Sequence, residues 1–350
     1  MIIKDVISYL ETIAPPVYQE SYDNAGLITG SAEAPVRGVL TCLDATEAIM
    51  DEAIRLGCNL IVAHHPIVFT GLKKITGRNY VERVVIKAIK HDLAIYAIHT
   101  NLDNVFARGV NSRIAQQLGL VRTRILAPKQ LSKKLQVFTS ASLVAPLQEA
   151  LLRQGAQRVE GIKEAGYLSE FGRSAMINGE ARVKLEVAFP VAAQAGILQA
   201  VQAFQAQARV DYDLLALEVD TPEVGSGVIG DLPEAMAPLR FLQHLKECMH
   251  TDCVRHTALP DKPVEKVAVC GGAGGFLLPH AIRQGAQVFV TADYKYHEFF
   301  DADGRIVIAD IGHYESEQFT IPLLYEIISQ KFSNFAVHYT KVRTNPVFYL

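Results

Sequence analysis

The 350-residue chain lacks any apolar run of the ~18–20 residues that a membrane span needs. Its first residues, MIIKDVISYLETIAPP, put Val6, Ile7, Leu10 and Ile13 on one helical face. Asp5 and Glu11 interrupt that stretch, so it cannot serve as the apolar core of a signal peptide. A disulfide framework is also missing, because the five cysteines are odd in number and scattered. That pattern fits a reducing compartment, and a cytoplasmic location is expected. Neither sign of charge is in excess: 34 Lys and Arg face 37 Asp and Glu, a net charge of −3. No overall basic field exists to draw nucleic acid non-specifically. Low-complexity tracts and repeats at solenoid periods are absent too. What remains is an ordinary globular balance, 49% hydrophobic and 20% charged, in a chain longer than one core usually serves.

The hydrophobic periodicity divides the chain into three. In the first segment strands and helices alternate. VRGVLTCLD (36–44), NLIVAHHP (59–66) and LAIYAIHT (93–100) read as strands. A helix capped by Thr46 and ended by Gly57 follows the first of them, and helices over 81–91 and 109–120 follow the others. This rhythm means βαβ units and a mainly parallel sheet. The middle segment changes to a βαββαβ order, with Gly- and Ser-containing turns around Tyr167 to Ala175, which resembles a ferredoxin-like unit. TPEVGSGVIGDLP (221–233) reads as a Gly/Pro-rich return. The last segment alternates again, with strands over 264–270, 286–293, 305–310 and 334–340 and a helix from Gln318 to Ser329. The expected architecture is α/β: two similar halves, residues 1–127 and 223–350, form one domain interrupted by an α+β domain over 128–222.

Polar residues collect where these strands end. Asp44, His64, His65, His99, Asp103, the GGAGG loop after VEKVAVC, Asp293, His297 and His313 all lie at or just past a strand's carboxyl end, the edge where open α/β sheets bind ligands. Side chains alternate along a strand, so the adjacent imidazoles of His64 and His65 suit two neighbouring metals better than one, and Pro66 holds His65 extended. Asp103 can ligate a metal or cap a helix, and His99 can ligate or orient a ligand. His313 and Glu317, four apart at a helix start, share one face, whereas Glu315 points elsewhere as a first-turn carboxylate favoured by the helix dipole. Three imidazoles and two carboxylates suit Zn, Mn, Fe, Co or Ni rather than Ca or Mg. Two divalent ions less two carboxylates leave a charge of +2, which attracts an anion such as phosphate. Such a pair, ~3.5–4 Å apart, can activate water and stabilise a leaving oxygen. GGAGG can present N–H groups to phosphate or simply pack strand against helix; it matches neither a P-loop nor a dinucleotide fingerprint. Cys248, His250, Cys253 and His256 imitate a zinc cluster, but their spacing fits no common finger, and RFLQHLKECMH reads as an amphipathic helix.

AHHPIVF, HTNLDN, GGAGG, TADYKYHE and DIGHYESE, in this order, resemble the signature segments of the NIF-three-like family, whose members are often called GTP cyclohydrolase 1 type 2 homologues. SYDNAGL is similar to that family's first motif, with Tyr22 where the aromatic is usually Trp. The resemblance implies a dinuclear centre on His64, His65, Asp103, His313 and Glu317, with Glu317 bridging both ions and His297 a candidate proton carrier. It further implies an insertion resembling the PII and CutA proteins, a toroidal homohexamer, and a small-molecule substrate. The expected function is a metal-dependent hydrolase acting on a nucleotide or small phosphate compound. The alternative is a non-catalytic metal-binding or regulatory protein whose insertion senses a metabolite.

Overall fold

The structure, a computed structural model, describes residues 1–156, 167–170 and 182–350. The first segment runs α1 (Ile3–Ile13), β1 (Gly26–Thr29), β2 (Gly38–Cys42), α2 (Glu47–Leu56), β3 (Leu60–Ala63), α3 (Tyr80–Lys90), β4 (Ala94–Ala97), α4 (Thr100–Asp103), α5 (Val110–Gln117) and β5 (Val121–Lys129). The middle runs β6 (Ser132–Ser140), α6 (Ala141–Arg153), β7 (Tyr167–Glu170), β8 (Arg182–Pro190), α7 (Gln194–Gln205) and β9 (Asp211–Leu217). The last segment runs β10 (Thr221–Met236), α8 (Pro238–Met249), β11 (Arg255–His256), β12 (Val264–Ala273), α9 (Leu278–Arg283), β13 (Val288–Ala292), β14 (Val307–Asp310), α10 (His313–Glu317), α11 (Thr320–Lys331) and β15 (Ala336–Tyr339).

Local chemistry sets these boundaries as expected. Thr46 accepts the N–H of Ile49 to start α2, and Gly57, left-handed at φ 71°, ends it. Buried Val6, Ile7 and Leu10 give α1 its inner face.

Contacts divide the chain into two compact units, Met1–Pro128 with Pro222–Leu350, and Lys129–Thr221. The larger unit holds two sheets, in the orders β1-β4-β3-β2-β15 and β11-β14-β13-β12-β10-β5. Each is built on parallel strands, β15–β2–β3–β4 in one and β12–β13–β14 in the other; β1 joins the first antiparallel to β4, and β10 and β11 join the second antiparallel to β12 and β14. One apolar core spans both: Val39, Leu60 and Val62 from the first sheet and Val267, Val269, Val288 and Val290 from the second pack with α1, α5, α8 and α11. The smaller unit has one antiparallel sheet, β7-β8-β6-β9, whose core includes Leu135, Leu185, Leu147 and Ile197. Of the turns expected around Tyr167 to Ala175, those past Glu170 lie outside the described residues.

The segment read as a Gly/Pro-rich return is instead the 16-residue strand β10, antiparallel to β12. Its glycines mark close approach rather than a loop. A Cβ at Gly225 would run into the Ala127 carbonyl on β5. Val224, Val228, Ile229 and Leu232 supply the buried side chains between them. Among the described residues no helix is long and apolar enough to cross a membrane.

Candidate metal centre

Every sequence-singled ligand belongs to the larger unit and sits just past a strand or at a helix that follows one. His64 and His65 follow β3, and their N–H groups still bond the carbonyls of Cys42 and Leu43. Asp103 ends the short helix after β4, and His313 and Glu317 open and close the one after β14. The strand alternation expected to part His64 from His65 has ended by Ala63. Both rings turn to the same place, their centroids 4.9 Å apart.

That place is the Glu317 carboxylate. Its Oε2 lies 2.9 Å from His65 Nε2 and 3.1 Å from His313 Nε2. Its Oε1 lies 3.9 Å from His64 Nε2, which is 3.5 Å from Asp103 Oδ1. Two ligand groups of metal-binding dimensions therefore share Glu317, one with His65 and His313, the other with His64 and Asp103.

Each imidazole is held from behind. His64 Nδ1 is 2.8 Å from the Ile98 carbonyl, His65 Nδ1 2.8 Å from Asp44 Oδ1, and His313 Nδ1 2.7 Å from Asp293 Oδ2. A carbonyl can only accept, so His64 Nδ1 carries the proton and the neutral ring's Nε2 presents a lone pair. That lone pair faces two carboxylates and no donor. His64 Nε2 and Asp103 Oδ1 are both buried without a hydrogen-bond partner. Acceptors facing acceptors in a buried site are costly unless a cation sits among them. The residues present thus fit a metal, and imidazole nitrogens fixed from behind by carboxylate or carbonyl are the usual support for one.

The charges agree. Burial pushes His64 down to about 3, so it is neutral. Burial works against charge on His65 too, but the bonds to Asp44 and Glu317 outweigh it and raise the ring to about 10. The Glu317 charge raises His313 to about 11. Burial opposes the Glu317 charge, yet His313 and His65 hold that carboxyl well below the usual range. Burial, with the Glu317 charge, raises Asp103 to about 7, so without a cation beside it this carboxyl is partly protonated near neutral pH. In the metal-free site the two outer rings carry protons that stand in for cations.

The GGAGG loop packs rather than binds. Gly271, Gly272 and Gly274 donate their N–H groups to Asn111, Ser316 and Thr291, so these three are not left for a phosphate. Gly272 has φ +61°, and a Cβ there would stand 2.5 Å from Glu317 Oε1. Only glycine lets the shared carboxylate lie this close to β12.

Beside the group lies His99, its Nδ1 bonded to Asp23 at 2.8 Å, in a third possible ligand group with His64 and His65. Hydrogen bonds from His99 and Thr100 overcome burial and hold Asp23 at about 2. Sequence reading passed over Asp23, although it lies inside SYDNAGL; only the fold brings it 76 residues along the chain to His99. Exposed Tyr22 and Phe69 flank this side, the Phe69 ring 6.4 Å from both Tyr22 and His99. His297 is exposed, its ring edge-on to Tyr296, and belongs to none of the three groups. Neither do Cys248, His250, Cys253 and His256. Glu315 is buried and accepts from Asn345, so it anchors the carboxyl-terminal segment rather than simply facing the helix dipole. On the His65 and His313 side opens a cavity of about 500 Å³, walled also by Asp293, Arg255, Val347 and Tyr349.

Comparison with known proteins places this arrangement. A family model described as Duf34/NIF3 (NGG1p interacting factor 3) matches residues 1–346. A Bacillus subtilis (strain 168) protein named "GTP cyclohydrolase 1 type 2 homolog" is 33% identical over 331 residues, covering 89% of this chain and 88% of its own. The solved structure of a Bacillus cereus protein related to NIF3 superposes with a TM-score of 0.81 at 33% identity, covering 100% of this chain and 99% of that one. A Staphylococcus aureus structure gives 0.82 at 29%, with the same coverage. The chain belongs to the DUF34/NIF3 family.

Proposed function

We propose that the larger unit binds two divalent ions and hydrolyses a nucleotide or another small phosphate-bearing compound. His65 and His313 with Glu317 Oε2 would hold one ion, and His64 and Asp103 with Glu317 Oε1 the other. The observation that carries this reading is the buried lone pair of His64, aimed at two carboxylates with no donor between. Zn, Mn, Fe, Co and Ni suit the donor set. When bound, such a pair supplies a strong electrophile that lowers the pKa of water and steadies a leaving oxygen.

The chain's own groups do the rest. Asp44, Asp293 and the Ile98 carbonyl fix the ligand rings, so little reorganisation is needed during reaction. The cavity beside His65 and His313 admits a small molecule and excludes a folded protein. His99, one nitrogen fixed by Asp23, is an imidazole beside the ligand groups and is placed to pass a proton. We place it ahead of exposed His297 for that task. GTP is the first substrate to try, because relatives carry the cyclohydrolase name. Zinc- or manganese-loaded protein should turn over GTP or a simple phosphoester, and chelation should abolish the turnover. Metal-loaded protein inert to a panel of nucleotides and phosphoesters would leave a metal-binding or regulatory role instead.

We further infer that the smaller unit is a ferredoxin-like insertion of the PII/CutA kind and that the protein assembles as a hexameric ring. Its βαββαβ order and four-stranded antiparallel sheet support the first. The family resemblance and exposed apolar side chains such as Phe276, Phe300 and Phe348 support the second. Excising residues 129–221 behind a short linker should leave a folded, metal-binding protein, since a domain owns its core. Light scattering should give both proteins a mass near six chains. A deletion protein that never folds would count against the boundaries, and a monomeric parent against the ring.

A further inference from the structure

Residues 340–350 follow β15 without regular secondary structure, yet side chains pin them at defined points. The Thr340 hydroxyl donates to buried Glu52 on α2, and the Lys341 N–H bonds the same carboxylate. Asn345, buried, donates to Glu315 on α10 at 2.7 Å, and the Val347 N–H returns to Asn345. Between these anchors stands Thr344, whose hydroxyl donates to Asp44 Oδ2 at 2.6 Å. The other oxygen of Asp44 is the one that holds His65 Nδ1.

We propose that Thr344 is a positioning residue of the metal centre, fixing Asp44 and through it the ring of His65. The inference rests on the reading of His65 as a metal ligand. A carboxylate bound by one imidazole alone can rotate about its terminal torsion and carry that bond with it. A second donor on the opposite oxygen stops the rotation. Asp44 receives such a donor from a residue 300 positions away, and Glu52 and Glu315 deliver that residue to it. His64 has its ring held by a backbone carbonyl, which cannot rotate, and needs no such device. The segment carrying Thr344 continues as a wall of the cavity through Pro346, Val347 and Tyr349. One stretch of chain thus bounds the cavity and steadies an imidazole that opens into it.

The test compares Thr344→Val, which keeps the shape and loses the hydroxyl, with Thr344→Ser, which keeps the hydroxyl. Zinc affinity of the full-length protein is measured by competition with a chromophoric chelator. Loss of a group supporting a ligand usually costs about ten- to a hundredfold in metal affinity. Thr344→Val should lose that much at one of the two ions and keep the other, whereas Thr344→Ser should stay within about threefold of the parent. Wild-type affinity in both variants would overturn the proposal. Equal loss in both would also overturn it, because the effect would then belong to packing rather than the hydroxyl. If the parent takes up no zinc, the metal reading itself fails, and crystal structures of the parent and Thr344→Val decide this point separately. A His65 ring turned away from Asp44 in the variant supports the positioning role, and an unmoved ring refutes it.

Discussion

Glu317→Ala is expected to lose both ions, while Asp103→Ala loses only one. Glu317 offers Oε2 to the His65–His313 group and Oε1 to the His64–Asp103 group; Asp103 serves the second group alone. A four-ligand structural zinc site is worth ~10–16 kcal/mol, so one ligand contributes about 3 kcal/mol, on the order of a hundredfold in affinity. Removing Glu317 imposes that loss twice. Elemental analysis after reconstitution and desalting should find almost no metal in Glu317→Ala and about one ion per chain in Asp103→Ala. Glu317→Gln, which preserves the packing against Gly272 and removes the charge, controls for misfolding and should also lose metal. Equal losses from the Glu317 and Asp103 variants would end the bridging assignment.

The second large effect is on pH. In the metal-free protein His65 and His313 titrate at about 10 and 11, above the ordinary imidazole value. Their contribution to folding is therefore complete below ~6.5 and fades as pH rises through those raised values. Glu317 is depressed, so its contribution is present above ~4.5 and is lost as pH falls through its folded value. Metal binding demands the reverse of the histidines, since an ion must displace a proton from each ring. The ion on the His65–His313 side should accordingly bind tighter by up to about a hundredfold between pH 6 and pH 7, two protons being released. The ion beside His64 should gain less, because that ring is already neutral. Calorimetry in buffers of different ionisation enthalpy counts the protons. Affinity independent of pH over this range would contradict the charge states described.

Much of this was legible because the signals are local. The βαβ rhythm, the Thr46 cap and the gathering of His64, His65, Asp103 and His313 at strand ends follow from period and position. Three features were not, each for a long-range reason. β10 looked like a loop because its glycines answer to β5, a strand about a hundred residues earlier in the chain. The choice between packing and phosphate binding at GGAGG turns on Asn111, Ser316 and Thr291, which no spacing rule connects to it. Asp23 and Thr344, which support His99 and Asp44, lie in stretches without periodic pattern and reach them only because β1 pairs with β4 and β15 with β2. The side-chain alternation that parted His64 from His65 held only while the strand lasted, and β3 stops one residue too soon.

We expect two cations, one on either side of the Glu317 carboxylate. A crystal structure of protein reconstituted with zinc, with anomalous data collected above and below the zinc edge, tests this most directly. Two peaks per chain are expected, one among His65, His313 and Glu317, the other among His64, Asp103 and Glu317. No peak at either position, or zinc bound only elsewhere on the chain, would contradict this.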